Sequence, residues 1–375
     1  MRDIPSLTGL RGVAAVWVML FHVAMAAPLL GAPWIARIAV LPDGWVGVDL
    51  FFVLSGFILM WVHGSDFARP TVRVIGRFAA ARIVRVYPLS LAVLGLIVLL
   101  AWADPAFVAW YRTLDPDNFS MAALLRTALL ATRWVGAGGG DWNQPVWSLS
   151  AELVGYAAFP VLAWFIVARS APAAIATAAL CLAALALFQI ATGTAGINAI
   201  DQISVLVRMG CGFTAGMAIC RVRQLAPERA VRFAAAGAVL VCIAVGVCCL
   251  FKSGRLFMPA AFALMIFCLS FRTGGVDRLL ASRPAMFLGR ISFPLYLVHV
   301  TPLLWLVSRY RFAHLGPVAG AGLILAYVAG CLALAALLHR FVERPSHGWI
   351  RRLTPTAGPG SRLSAAEPTP IQAQG

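Results

Sequence analysis

Ten long apolar runs limit this chain to very few folds. They occupy residues 7–27, 46–63, 88–103, 146–167, 172–191, 203–220, 233–251, 256–271, 291–310 and 317–341, each close to the length of a helix that crosses a bilayer. In lipid a backbone must satisfy its own N–H and C=O groups, which leaves helices or a closed barrel. Runs this long and continuous predict an all-α, polytopic transmembrane helical bundle of about ten spans. Run 256–271 is the weakest because it is short. Of 375 residues, 61% are hydrophobic and 12% charged, a profile foreign to soluble domains.

The net charge of +16 does not point to nucleic acid, because the cations are divided among short segments between apolar runs. Twenty of the 30 lie in one set of connections and nine, Arg208 among them, in the opposite set; Arg11 completes the count. The positive-inside bias then predicts that both termini are cytoplasmic, and an even span count agrees with termini on one side. Ala24-Met25-Ala26 looks like a signal-peptide cleavage site, but Arg11 interrupts the apolar run before it. The eight cysteines all fall in or beside spans, without a CxxC, and read as small buried apolar residues. Two connections are long: 64–87, rich in arginine, and 104–145, with Asp104, Asp115, Asp117, Asp141, several aromatics and Gly138-Gly139-Gly140. A transmembrane domain is expected over 1–350, and a disordered cytoplasmic tail over 351–375.

Ionisable residues inside the runs are expensive in lipid, so they face an interior and tend to carry function. Arg11 and His22 share one helix face, eleven residues and roughly 16 Å apart. Asp49 and Glu152 come to a depth similar to that of His22. A carboxylate that orients an imidazole makes a general base able to take a proton from a hydroxyl. Either acid fits that part, although Asp49 also suits a helix cap. Arg77, Arg82 and Arg85 precede the third span. If this stretch is helical, Arg82 and Arg85 share a side and can grip phosphate, or they are only the positive-inside signal. A secondary polar set is Ser148, Ser292, Tyr296 and His299, with His299 equally suited to a packing hydrogen bond. Trp110, Trp134 and Trp142, with Asp115, Asp117 and Asp141, suit either a sugar or an interfacial belt. No metal-ligand spacing, HExxH, Walker loop, GxGxxG or GxSxG occurs, so no metal or redox role is expected.

Six strings, in order, resemble the acyltransferase-3 family of integral-membrane O-acyltransferases: Leu7-Thr8-Gly9-Leu10-Arg11-Gly12 followed by His22; 47–57 (GVDLFFVLSGF); Arg82-Ile83-Val84-Arg85-Val86-Tyr87-Pro88; Trp147-Ser148-Leu149-Ser150-Ala151-Glu152; 288–299 (LGRISFPLYLVH); and Phe341-Val342-Glu343-Arg344-Pro345. Ala151 and Leu153 flank Glu152 where many members carry a second acid and a polar residue. The resemblance implies that acyl-CoA, usually acetyl-CoA, enters from the cytoplasm as co-substrate. It also implies that His22 is catalytic and that Arg11, Arg82 and Arg85 serve the donor. The implied acceptor is a glycan or lipid-linked sugar, as in exopolysaccharide or lipopolysaccharide, and the implied location a bacterial inner membrane. A small macrolide-type acceptor, or a transporter without transferase chemistry, is the alternative. Direct transfer is expected over an acyl-enzyme, with Ser148, Ser150 and Ser55 as the available nucleophiles.

Overall fold

A computed structural model describes residues 4–134, 140–227, 230–311, 314–346 and 348; the tail 351–375, Gly138 and Gly139 lie outside them. The described elements are helices: α1 (Pro5–Ala26), α2 (Gly47–His63), α3 (Val72–Ala103), α4 (Pro105–Arg112), α5 (Met121–Ala128), α6 (Val146–Val167), α7 (Ala171–Ala191), α8 (Gln202–Leu225), α9 (Ala230–Leu250), α10 (Met258–Leu269), α11 (Gly274–Leu280), α12 (Arg283–Val298), α13 (Val300–Tyr310) and α14 (Pro317–Leu338), with short 3₁₀ turns between some of them. Among the described residues eight helical segments are long and apolar enough to cross a membrane. Two bent pairs bring the number to ten: Gly254–Leu269 with α11 at 92°, and α12 with α13 at 51°. The second bend has a local cause. Pro302 has no N–H for the Val298 carbonyl four residues back, and its ring crowds that carbonyl, so the helix breaks at His299.

One span departs from expectation. The third begins at Val72, not Pro88, so Arg73, Arg77, Arg82 and Arg85 all lie on the helix and Pro88 lies inside it. Hydropathy marks where a helix meets lipid, whereas arginine is a good helix former outside lipid as well. Thr71 starts the helix by accepting a hydrogen bond from Val74 N–H at 3.3 Å. The connection 104–145 carries α4 and α5.

Small residues set two close helix contacts. Between α2 and α8, a methyl on Gly56 would lie 1.9 Å from the Phe213 carbonyl, and one on Gly216 would lie 1.9 Å from that of Val53. Between α1 and α12, a methyl on Gly12 would lie 2.4 Å from the Gly289 amide nitrogen, and one on Gly289 would lie 2.2 Å from the Thr8 carbonyl. Backbones that approach this closely gain dispersion contacts where lipid supplies no hydrophobic drive. Gly216→Ala is therefore expected to destabilise the bundle by about 1–3 kcal/mol of overpacking. Gly246→Ala on α9, where an added carbon meets nothing within 4 Å, should not. Melting temperatures in detergent check this; equal values for the two variants would refute the close α2–α8 contact.

Candidate active site

Three helices each turn a polar stripe toward a common interior. On α1 it holds Arg11 and His22. On α6, Ser148, Glu152 and Tyr156 recur every fourth residue and so share a face. On α12, Gly289, Ser292 and Tyr296 lead to His299 at the break. Both α1 residues reach this last stripe: Arg11 Nη2 donates to the Gly289 carbonyl at 2.8 Å, and His22 Nδ1 lies 3.2 Å from His299 Nε2.

At the histidine end the hydrogen bonds assign the tautomers. His299 is fully buried, and its Nδ1 sits 2.8 Å from the Tyr296 carbonyl and 3.2 Å from that of Leu295. Carbonyls only accept, so His299 Nδ1 carries the proton and its Nε2 keeps a lone pair. His22 Nδ1, facing that lone pair and 2.9 Å from the Val18 carbonyl, is the donor to both. The remaining nitrogen of His22, Nε2, then holds a lone pair. The carbonyl of His299 accepts from Tyr327 Oη at 2.6 Å, which pins the break. Tyr296 Oη and Ser148 Oγ, both buried, lie 2.6 Å apart. A narrow cleft of about 40 Å³ opens here, lined by His22, His299, Tyr296, Trp45, Trp147 and Asn198 among others.

Toward the other end, Ser55 Oγ donates to Glu152 Oε1 at 2.5 Å. The Arg82 guanidinium stands 5.6 Å from the Phe78 ring and 6.0 Å from that of Tyr156. Arg85 Nη2 lies 3.6 Å from Glu343 Oε1, and Arg11 is electrostatically coupled to Arg85, Glu343 and Glu152. The Nε atoms of Arg11 and Arg82 are buried without a hydrogen-bond partner among the described residues. Three guanidinium groups, with Glu152 and Glu343 among them, thus gather about three helical turns, roughly 16 Å along α1, from the imidazole.

The family model Acyl_transf_3, described as an acyltransferase domain, matches residues 4–340. The chain belongs to this acyltransferase family. It is 27% identical over 390 aligned positions to Acyltransferase MdmB of Streptomyces mycarofaciens, covering 94% of each chain. Over 158 positions it is 30% identical to Protein 2 in picA locus of Rhizobium radiobacter, covering 40% of this chain and 76% of that one. O-acetyltransferase OatA of Staphylococcus aureus (strain NCTC 8325 / PS 47) is 23% identical over 188 positions, 46% of this chain and 26% of OatA. No solved structure matches. The protein is thus a membrane acyltransferase by family, with eight to ten helices among the described residues long and apolar enough to cross a bilayer.

Within this acyltransferase, several sequence expectations need correction. Neither Glu152 nor Asp49 partners His22; the neighbour of its Nδ1 is His299. Glu152 turns instead to Ser55 and the arginines. Asp49 is consumed by Arg208, which donates from Nε at 2.9 Å and Nη2 at 3.1 Å. Arg208 is not part of a connection: it lies buried in α8 against the Trp45 and Trp147 rings, with Nη1 bound to the Ala199 carbonyl at 2.8 Å. Arg77 is exposed on α3, outside the cluster that Arg82 and Arg85 join. Ser292 Oγ bonds back to the Gly289 carbonyl at 2.9 Å, the acceptor that Arg11 also uses.

The six outer residues suited to a sugar do not line the cleft. Trp134 Nε1 donates to the Ser150 carbonyl and Trp142 Nε1 to that of Ser120, while Asp115 accepts from the Gly140 and Asp117 amides. Trp110 stacks on Phe107 beneath Arg311, Asp117 is exposed, and burial pushes the Asp141 carboxyl up. They hold the 104–145 connection together. It is moored by Asp104, whose carboxyl is kept low by hydrogen bonds from Arg309 and Trp305 on α13.

Proposed function

We propose that this membrane acyltransferase moves an acyl group, acetyl in the first instance, from acyl-CoA to a hydroxyl of an exported or cell-surface glycan or lipid-linked sugar, and that it does so in a bacterial inner membrane. The observation that carries the reading is the common face of α12, with an arginine cluster at one end and a paired histidine at the other. Phosphates of the donor rest on Arg11, Arg82 and Arg85 at the cytoplasmic side, and the pantetheine arm reaches along the polar stripe. The acceptor hydroxyl sits in the cleft against His22 Nε2.

The chemistry follows from the tautomers. As the hydroxyl oxygen attacks the thioester carbonyl, its proton passes to His22 Nε2. A C–O bond forms, the C–S bond breaks, and the departing thiolate recovers that proton. The imidazolium formed meanwhile keeps its Nδ1–H on the Val18 carbonyl and the His299 lone pair. Two neutral acceptors thus orient the ring, one of the two parts a carboxylate plays in other general bases. Direct transfer needs no acyl-enzyme. Of the three candidate nucleophiles, Ser55 is bonded to Glu152, Ser148 to the Pro145 carbonyl and Tyr296, and Ser150 Oγ accepts from the Arg133 amide; none of these bonds reaches His22, the base assigned here.

Coenzyme A binding to the detergent-purified protein tests the donor half. At a CoA concentration of about a hundred times Kd, the folded state gains about 2.7 kcal/mol, read as a rise in melting temperature. An unmoved melting temperature at high CoA would favour a transporter instead.

A further inference from the structure

The cleft at the histidine end has a rim that the chemistry above does not use. It is the strap 192–201 joining α7 to α8, and Asn198 and Ile200 on it line the cleft with His22. Two arginines clamp this strap on either side of Asn198. Arg255, just ahead of α10, donates from Nη1 to the Gly196 carbonyl at 3.3 Å, and Arg208 donates from Nη1 to that of Ala199 at 2.8 Å. Each arginine is itself paired with a buried aspartate of the segment 43–49, which also carries Trp45: Arg255 Nη2 lies 2.5 Å from Asp43 Oδ1, and Arg208 holds Asp49. Asn198 is therefore presented by clamped backbone rather than by a free loop.

Its amide is fixed as well. Arg208 Nη1 lies 3.3 Å from the Asn198 side chain, and a guanidinium only donates, so the atom facing it is the amide oxygen. Nδ2, with its two N–H donors, is left without a hydrogen bond among the described residues. Gln144, the other amide of the lining, has no such lock, because its side chain bonds to none of the described residues. Among the described residues that line the cleft, none carries a carboxylate, guanidinium or ammonium group. A charged substituent brought in by the acceptor would find no counter-ion there, which is costly in a desolvated site.

We propose that Asn198 is a specificity-determining residue for the acceptor: its Nδ2–H₂ donates to an oxygen beside the reacting hydroxyl of a neutral, oxygen-rich group such as a sugar ring, and so turns that hydroxyl toward His22 Nε2. The inference rests on the reading of the cleft as the acceptor site and of His22 as its base. A neighbouring hydroxyl, ring oxygen or acyl carbonyl offers the lone pair the amide needs. A deoxy position or an ammonium offers none and leaves Nδ2–H₂ unpaired once water is displaced. Discrimination comes from that penalty more than from the bond itself.

The test is transfer of label from acetyl-CoA to the endogenous acceptor of membrane vesicles, comparing wild type, Asn198→Asp and Asn198→Ala, beside the melting temperatures of the purified full-length proteins. Asn198→Asp keeps an oxygen for Arg208 and replaces only the donor. It is expected to melt no lower than wild type and to transfer about tenfold more slowly or worse, the scale of one hydrogen bond lost with its partner left unpaired. Asn198→Ala leaves Arg208 on Asp49 and on the Ala199 carbonyl, so it should keep its melting temperature and lose transfer by a similar factor. The half-saturating acetyl-CoA concentration should not move in either variant, because the arginine cluster lies at the far end of the polar stripe. If Asn198 only braces Arg208, Asn198→Asp transfers at the wild-type rate, and that result overturns the inference. Should Asn198→Asp melt lower or fail to fold, Asn198→Ala decides: undiminished transfer, or a loss accompanied by a lower melting temperature, overturns it. Wild-type vesicles that transfer no label sink the proposed transfer and take this inference with it. Wild type that transfers, beside an equally active Asn198→Asp, sinks this inference alone.

Discussion

Membrane vesicles carrying His22→Ala should transfer label from acetyl-CoA about 10² to 10⁴ times more slowly than wild type, the usual worth of a general base. The variant should remain inserted and monodisperse, because the ring contributes one bond to the Val18 carbonyl, one contact with His299 and an edge against Phe21. His299→Ala should slow transfer less. It leaves the lone pair on His22 Nε2 but removes one of the two acceptors that hold Nδ1–H, so the ring can turn. The decisive comparison is the double variant. If His299 acts only through His22, His22→Ala with His299→Ala is no slower than His22→Ala alone, the non-additivity expected of groups that work as a unit. Multiplying losses would give His299 a separate job. Full activity in His22→Ala would end the mechanism.

The sequence showed which residues belong to the interior far better than which of them touch. Arg11 and His22 fall on one face because their spacing is close to three helical turns, and both do meet α12. The RxxR pair faces inward once the stretch is helical, and Arg77, five residues before Arg82, is turned to the surface. Partnerships, by contrast, depend on how helices are rotated about their axes, and span depth says nothing about rotation. Glu152, His22 and Asp49 were placed at one level, yet they face Ser55, His299 and Arg208. Arg208 carried a legible signal. It lies five residues into an apolar run, as Asp49 lies three into its own, and an arginine at that depth demands an anion. Glu343 was harder to find, because a charge at the end of a last span looks like an interfacial residue. Only the π-helical turn His339–Glu343 and the approach of α3 reveal that it is buried.

Asp49→Ala should act on stability first, and on transfer only through the packing of the cleft wall. The substitution leaves the Arg208 guanidinium in a buried site, still bound through Nη1 to the Ala199 carbonyl and, at 3.3 Å, to Asn198 Oδ1, but without a counter-ion. Breaking such a pair from one side costs about 3–5 kcal/mol, a large part of what holds a bundle together. Arg208 also stands against Trp45 and Trp147, 5.3 and 5.7 Å from their rings. Both rings line the cleft beside His22, so the damage should reach the acceptor side while the arginine cluster is spared. Replacing both partners with apolar residues of similar volume, Asp49→Leu with Arg208→Met, removes the uncompensated charge and should recover most of the lost stability. The measurement is the melting temperature of each variant in detergent: low for Asp49→Ala, near wild type for the double replacement. A pair that behaves in this way is architectural. Asp49→Ala protein as stable as wild type but unable to transfer an acyl group would return Asp49 to the chemistry of His22, and the hydrogen-bond assignment at the histidine end would have to be redrawn around it.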